Sequence, residues 1–312
     1  MNPENKFKSK FFVLLLILAA ISVWYLGRDF HGMMILTRVR IPRYVLAVFT
    51  GFVLGSSGTI LQGMLGNPLA EPYILGSSGG AALGSAVAVL TGTAVLAPVF
   101  GFVGTLISVL LVISITKYGK LSDKSGLLLS GIVTGMFFSA LISLLMYLNK
   151  EDIGAIFNVL MGNLGRVFTY SEWHYFLISI AFSALVFIYL YISGFKLDIM
   201  ASGDDLAQSM GINVRRTRIY VFIAVSFLTA VTVSYAGMIG FVGLIVPHLS
   251  RKITGVNQRR NMIFAGISGS VLLLICDFLG SGLMTVQIPA GVITSFLGAP
   301  FFLFTMMKAN HE

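Results

Sequence analysis

Residues 38–84 read RVRIPRYVLAVFTGFVLGSSGTILQGMLGNPLAEPYILGSSGGAALG. From Tyr44 to Thr116 the one charged side chain is Glu71. A helix crosses about 30 Å of hydrocarbon with roughly 20 apolar residues, and the run over 42–63 has that length. Glycines recur four apart, at Gly51/Gly55, Gly76/Gly80 and Gly80/Gly84, and again at Gly131/Gly135. Small residues at that spacing let helix backbones approach closely where no hydrophobic effect drives association. The run then breaks at GNPLAEPYILGSSGG (66–80), with two prolines and an acid at a membrane edge. Irregular backbone survives at membrane depth only where protein or a water-filled cavity satisfies it. This segment, opening on Asn67 and Pro68, is a candidate wall or gate of a pathway.

The rest of the chain has the same character. Of its 312 residues 56% are hydrophobic and 11% charged, against about 25% charged in a soluble domain. Ten crossings are expected, over 11–27, 42–63, 75–90, 96–116, 127–148, 172–194, 219–236, 240–250, 261–281 and 290–307. The fold class is an all-α integral membrane protein of about ten transmembrane helices, one domain over 1–312. The eighth segment is too short to cross alone, so it is expected to begin in the irregular AGMIGFVG (236–243). The first follows Lys6, Lys8 and Lys10 and resembles a signal peptide. No small-residue cleavage site follows it, and GRDFHG comes next, so it reads as a retained helix. The single cysteine, Cys276, lies in an apolar run, and no disulfide framework exists.

The net charge of +9 does not point to nucleic acid, because the basic residues flank apolar segments, where lipid headgroups and orientation explain them. With ten crossings both termini share a side, and that side holds 15 of the 21 Lys and Arg. The positive-inside bias makes it the cytoplasm, so a multi-pass protein of the cell (cytoplasmic, inner) membrane is expected. Four of the six outside cations fall between Arg28 and Arg43, against the bias. Headgroup snorkelling and a docking patch for an acidic partner both account for them.

Catalytic patterns are absent from the sequence. The histidines (His31, His174, His248, His311) are scattered, and there is no HExxH, no Gly-x-Ser-x-Gly and no cysteine cluster. No catalytic residue, metal ligand or cofactor is therefore assigned. No GxxxxGK[ST] loop occurs, so ATP and Mg²⁺ would have to sit on another subunit. Asp277 is a lone acid within an apolar span, which is a functional candidate by default and equally a hydrogen-bonding group in a helix interface. An ion-coupled secondary transporter using Asp277 is the alternative reading, although such proteins usually need more than one such group.

The segment GDDLAQSMGINVRRTR (203–218) places two acids and three arginines between two stretches, 173–195 and 219–250, that contain no charge. Ser202 followed by Asp205 matches the [ST]-x-x-[DE] helix start, and Asp204 and Asp205 fall in the first turn, where the helix dipole favours negative charge. Leu206 and Met210 share a face with Ala207 beside them, and Gly211 supplies the stop. Asn213 can start a second turn, with Arg215, Arg216 and Arg218 near lipid headgroups. The expectation is a short capped helix with an exposed apolar knob, outside the bilayer.

Several segments together resemble the iron-siderophore, haem and cobalamin permeases of type II ABC importers, the FecCD family. They are the quoted 38–84 run, GDDLAQSMGINVRRTR, GMIGFVGLIVPHLSR (237–251) and IPAGVITSFLGAPFFLFTMM (288–307), and the resemblance runs from about residue 38 to 308. It implies a cobalamin-importer-permease-like homodimer with two ATPase subunits at the cytoplasmic face and a substrate-binding protein docked outside. The segment 197–218 would then couple to the ATPase through Ser202, Asp204, Asp205, Leu206, Ala207, Met210, Gly211 and Arg215. The Arg-x-Pro-Arg positions, Arg40 and Arg43, with Arg38 nearby, would meet acidic side chains of the binding protein, since arginine forks a carboxylate. The family's arginine before the last helix has no counterpart in GSGLMTVQIP (280–289). The gate loop corresponds to KLSDKSG (120–126), where Ser122 and Ser125 close the pathway or simply form a turn. Residues 150–171 would form a short helix near the pathway entrance. Iron-siderophore leads among the implied ligands.

Overall fold

A computed structural model of the chain describes residues 3–27, 32–118, 124–255, 257–282 and 287–309. Thirteen α-helices occur among them and no strand. They are α1 (Pro3–Gly27), α2 (Met33–Ile35), α3 (Ile41–Leu65), α4 (Ser77–Leu90), α5 (Ala97–Tyr118), α6 (Lys124–Leu148) and α7 (Ile153–Met161). Then follow α8 (Tyr170–Ala201), α9 (Asp204–Ser209), α10 (Val214–Ala236), α11 (Val242–Thr254), α12 (Gln258–Gly282) and α13 (Ala290–Ala309). The ten expected crossings match α1, α3–α6, α8 and α10–α13. Seven helical stretches are long and apolar enough to cross a membrane, while α4 and α13 are shorter apolar helices. The short helix expected within 150–171 is α7.

Many large apolar side chains, such as Phe182, Leu185 and Ile192 on α8, point outward, which suits a hydrocarbon solvent and not water. Inside, helices meet through their smallest residues. On the shared face of α3 and α12, Gly51 lies on Gly269 and Gly55 on Ala265. Gly80 of α4 lies on Gly104 of α5. The closest approach is Gly58 of α3 on Gly243 of α11, where a methyl group would fall on the Gly243 carbonyl. Close backbone packing of this kind takes over the cohesive role of a hydrophobic core.

Two helices start inside the bundle. α4 begins after Gly76, whose carbonyl accepts from Ser108 Oγ at 2.8 Å, midway along α5. α11 begins after Phe241, which packs on Gly298, midway along α13. The irregular segments before them, 66–76 and 237–241, bind each other. Glu71 Oε1 accepts from the Phe241 N–H at 2.5 Å, and the Ile239 N–H donates to Tyr73 Oη at 3.1 Å. Phe241 is the one non-glycine described residue with positive φ, at 68°, a conformation that costs energy for a bulky side chain; the Glu71 bond helps to hold it. Each break thus satisfies the other's backbone, as membrane depth requires.

Candidate functional site

At one end of the bundle, α8 runs on to Ala201 and α9 stands apart as a six-residue helix. Ser202 is not its N-cap, contrary to the sequence pattern. It is the C-cap of α8, in right-handed helical conformation, with its N–H donating to the Ile199 carbonyl at 3.0 Å while the Gly203 N–H donates to that of Met200 at 3.3 Å. The N-cap is Gly203 (φ 136°), which offers no side-chain bond. The longer helix claims the serine because α8 is stabilised by its packing, whereas a six-residue helix gains little from an additional cap.

Asp204 is occupied differently from a dipole partner alone. Arg218 Nη2 donates to both its carboxylate oxygens, at 3.0 and 2.9 Å. Arg218, expected among lipid headgroups, is buried, 6% exposed. It lies one turn inside α10, where the helix faces α9, so the charge turns inward and clamps the short helix to the bundle. Ala207 packs fully buried against the core while Leu206 and Met210 are about half exposed. Gly211 follows in the left-handed region (φ 81°), and the Ile212 N–H returns to the Ala207 carbonyl at 2.9 Å. Asn213 caps α10 by accepting from the Arg216 N–H at 3.0 Å. Asp205 and Arg215 are exposed. The result is a fixed, outward-facing pair of apolar side chains on an anchored helix.

At the opposite end, α2 passes through a π turn, Leu36–Arg40, into α3. Arg38 is exposed and Arg40 half-buried. Arg43, expected to reach outward, turns inward. Its Nε and Nη2 bind the two oxygens of Asp277 at 2.8 and 2.7 Å, and Tyr25 Oη also donates to Asp277. The reason is desolvation: a carboxylate 3% exposed on α12 must be paired, and Arg43 on α3 lies within reach. Trp24 and Phe278 stack edge-on beside the pair, with centroids 4.3 Å apart, so α1, α3 and α12 are locked together there. Asp277 is therefore a structural anion rather than an open ion-binding group.

The remaining predicted residues are dispersed. Asn67 sits in the turn after α3, its Oδ1 accepting from the Leu69 N–H at 2.9 Å, and Pro68 beside it is exposed. Ser125 is exposed in the first turn of α6, and Ser122 lies outside the described residues. Sequence reasoning missed Tyr25 and the Glu71–Phe241 and Tyr73–Ile239 bonds. Tyr25 carries no pattern of its own, whereas Glu71, the lone charge in a 73-residue apolar stretch, marked its segment as needing a partner without saying which.

Comparison with known proteins adds to this geometry. The model of the FecCD transport family matches residues 7–308. The Fe(3+)-citrate import system permease protein of Bacillus subtilis is 36% identical over 287 residues, covering 90% of this chain and 84% of that protein. The hemin transport system permease protein of Yersinia pestis is 31% identical, covering 88% and 83%. The vitamin B12 import system permease protein of Vibrio vulnificus is 30% identical, covering 99% and 97%. Among solved structures, a metal-chelate-type ABC transporter in an inward-facing conformation superposes with a TM-score of 0.86 at 27% identity, covering 96% of this chain and 99% of that one.

Proposed function

As this chain belongs to the FecCD transport family and is the permease subunit of an ATP-binding-cassette importer, we propose that its cargo is an iron-siderophore, haem or cobalamin-type ligand, with an iron chelate foremost. It is a transport subunit, and ATP is hydrolysed by a separate chain. ATP and Mg²⁺ bind there, and this chain carries no cofactor of its own. Two copies form a homodimer around the pathway, in a cytoplasmic membrane with both termini inside. Two ATPase subunits sit beneath it and a substrate-binding protein docks outside.

The observation that carries this reading is α9. It is clamped through Asp204 and Arg218, buried along Ala207, and open along Leu206 and Met210. A connecting loop needs none of this, whereas a lever driven by a partner needs all of it. Closure of the ATPases on ATP would push α9 and reorient the bundle, giving alternating access. At the other face Arg43 is bound to Asp277, and acidic side chains of the binding protein would meet Arg38 and Arg40 beside it. Reversing both to Glu is expected to weaken binding-protein docking at least tenfold at low salt, and the gap should narrow as ionic strength rises. Surface plasmon resonance on the reconstituted complex reads this directly. Docking that is unchanged across ionic strength would assign the contact elsewhere.

A further inference from the structure

A second polar site lies on the same face as α9, between the end of α5 and the starts of α6 and α10. It is a cavity of about 340 Å³ lined by Lys117, Arg215, Arg216, Arg218 and Thr116 on its polar side. Among the described residues no acidic side chain lines it. Arg218 gives one nitrogen to Asp204, but its buried Nε–H has no hydrogen-bond partner, and the residue is only 6% exposed. The nearby Asp205 is exposed on α9 and does not line the cavity.

The rest of the lining differs in kind, with Ile113, Leu127 and Ile219 forming an apolar floor beside the cations. Tyr220 and Ile223 follow Arg216 at spacings of four and seven on α10, and both are exposed, so an apolar stripe leads from the cations along the helix surface. A free phosphate would use the cations and leave the floor and stripe empty. A phospholipid uses all three: its phosphate meets the cations, its glycerol the floor and its acyl chains the stripe. Basic pockets between helices at the cytoplasmic membrane edge are suited to anionic headgroups.

We propose that this cavity, bounded by Lys117, Arg216 and Arg218, is a binding site for one anionic phospholipid of the inner leaflet. The proposal rests on the orientation proposed above, with α9 at the cytoplasmic face, and it stands apart from the identity of cargo. Because the Arg218 wall of the cavity also clamps α9, a lipid seated there borders the lever that meets the ATPase.

Native mass spectrometry of the full purified chain, incubated with equal phosphatidylglycerol and phosphatidylcholine, tests it. One phosphatidylglycerol per chain is expected to be retained in preference. Lys117→Gln with Arg216→Gln is expected to reduce that preference about thirty-fold, at roughly one unit charge each. Should the double variant fail to elute as a folded species, Lys117→Gln alone is read, with about a fivefold loss expected. Excess inorganic phosphate should leave the lipid in place. Equal retention of both lipids, an unchanged preference in the variants, or displacement by phosphate would each overturn the assignment.

Discussion

Leu206→Arg is expected to leave the permease inserted and folded while abolishing both ATPase co-purification and uptake. The side chain is about half exposed while its neighbour Ala207 is fully buried, so the substitution alters what α9 presents and not what holds it. The Asp204–Arg218 clamp and the return of Ile212 to Ala207 involve no atom of the Leu206 side chain. A central apolar anchor in an interface contributes about 2 kcal/mol or more, close to thirty-fold in affinity. A buried guanidinium in its place adds a desolvation cost of its own. Pull-down of the ATPase by the tagged permease, with size-exclusion elution as the folding control, reads both halves. Stoichiometric recovery of the ATPase with the variant would remove α9 from the coupling surface.

Asp277→Ala has the second large expected effect, and on a different property. It leaves the Arg43 guanidinium inside the bundle without the carboxylate that binds it through two nitrogens, and Tyr25 loses its acceptor too. Breaking one side of a buried pair costs about 3–5 kcal/mol, whereas replacing both members with apolar groups is often close to neutral. The single variant should therefore show a marked fall in melting temperature, and Arg43→Met with Asp277→Leu should recover most of it. The same pair distinguishes two mechanisms. If Asp277 carried a coupled ion, the thermally recovered double variant would not transport. A structural carboxylate predicts that it does. Recovery of stability with complete loss of ATP-driven uptake would return Asp277 to the pathway.

Helix number and identity were legible in the sequence because bilayer thickness imposes a single length scale on every apolar run. Charge marked the ends for the same reason. The break before α11 was legible because 240–250 is too short to cross and glycines precede it. What sequence could not supply was partner choice among the few charges. Ser202 fits a helix start by local pattern, yet the preceding helix extends through Ala201 and takes it. Arg43 and Arg218 fit an outward docking residue and a headgroup anchor, yet both turn inward to Asp277 and Asp204. In each case a carboxylate 234 or 14 positions away needs a cation, and only the fold decides which one is near. The pairing of 66–76 with 237–241 belongs to the same class, since each segment's exposed backbone was predictable but its satisfying partner was not.

The most direct test of the account is uptake into proteoliposomes holding the permease, its ATPase and its binding protein loaded with an iron chelate. ATP with no ion gradient is predicted to drive accumulation, and a proton or sodium gradient without ATP is predicted to drive none. Gradient-driven accumulation in the absence of ATP would contradict it.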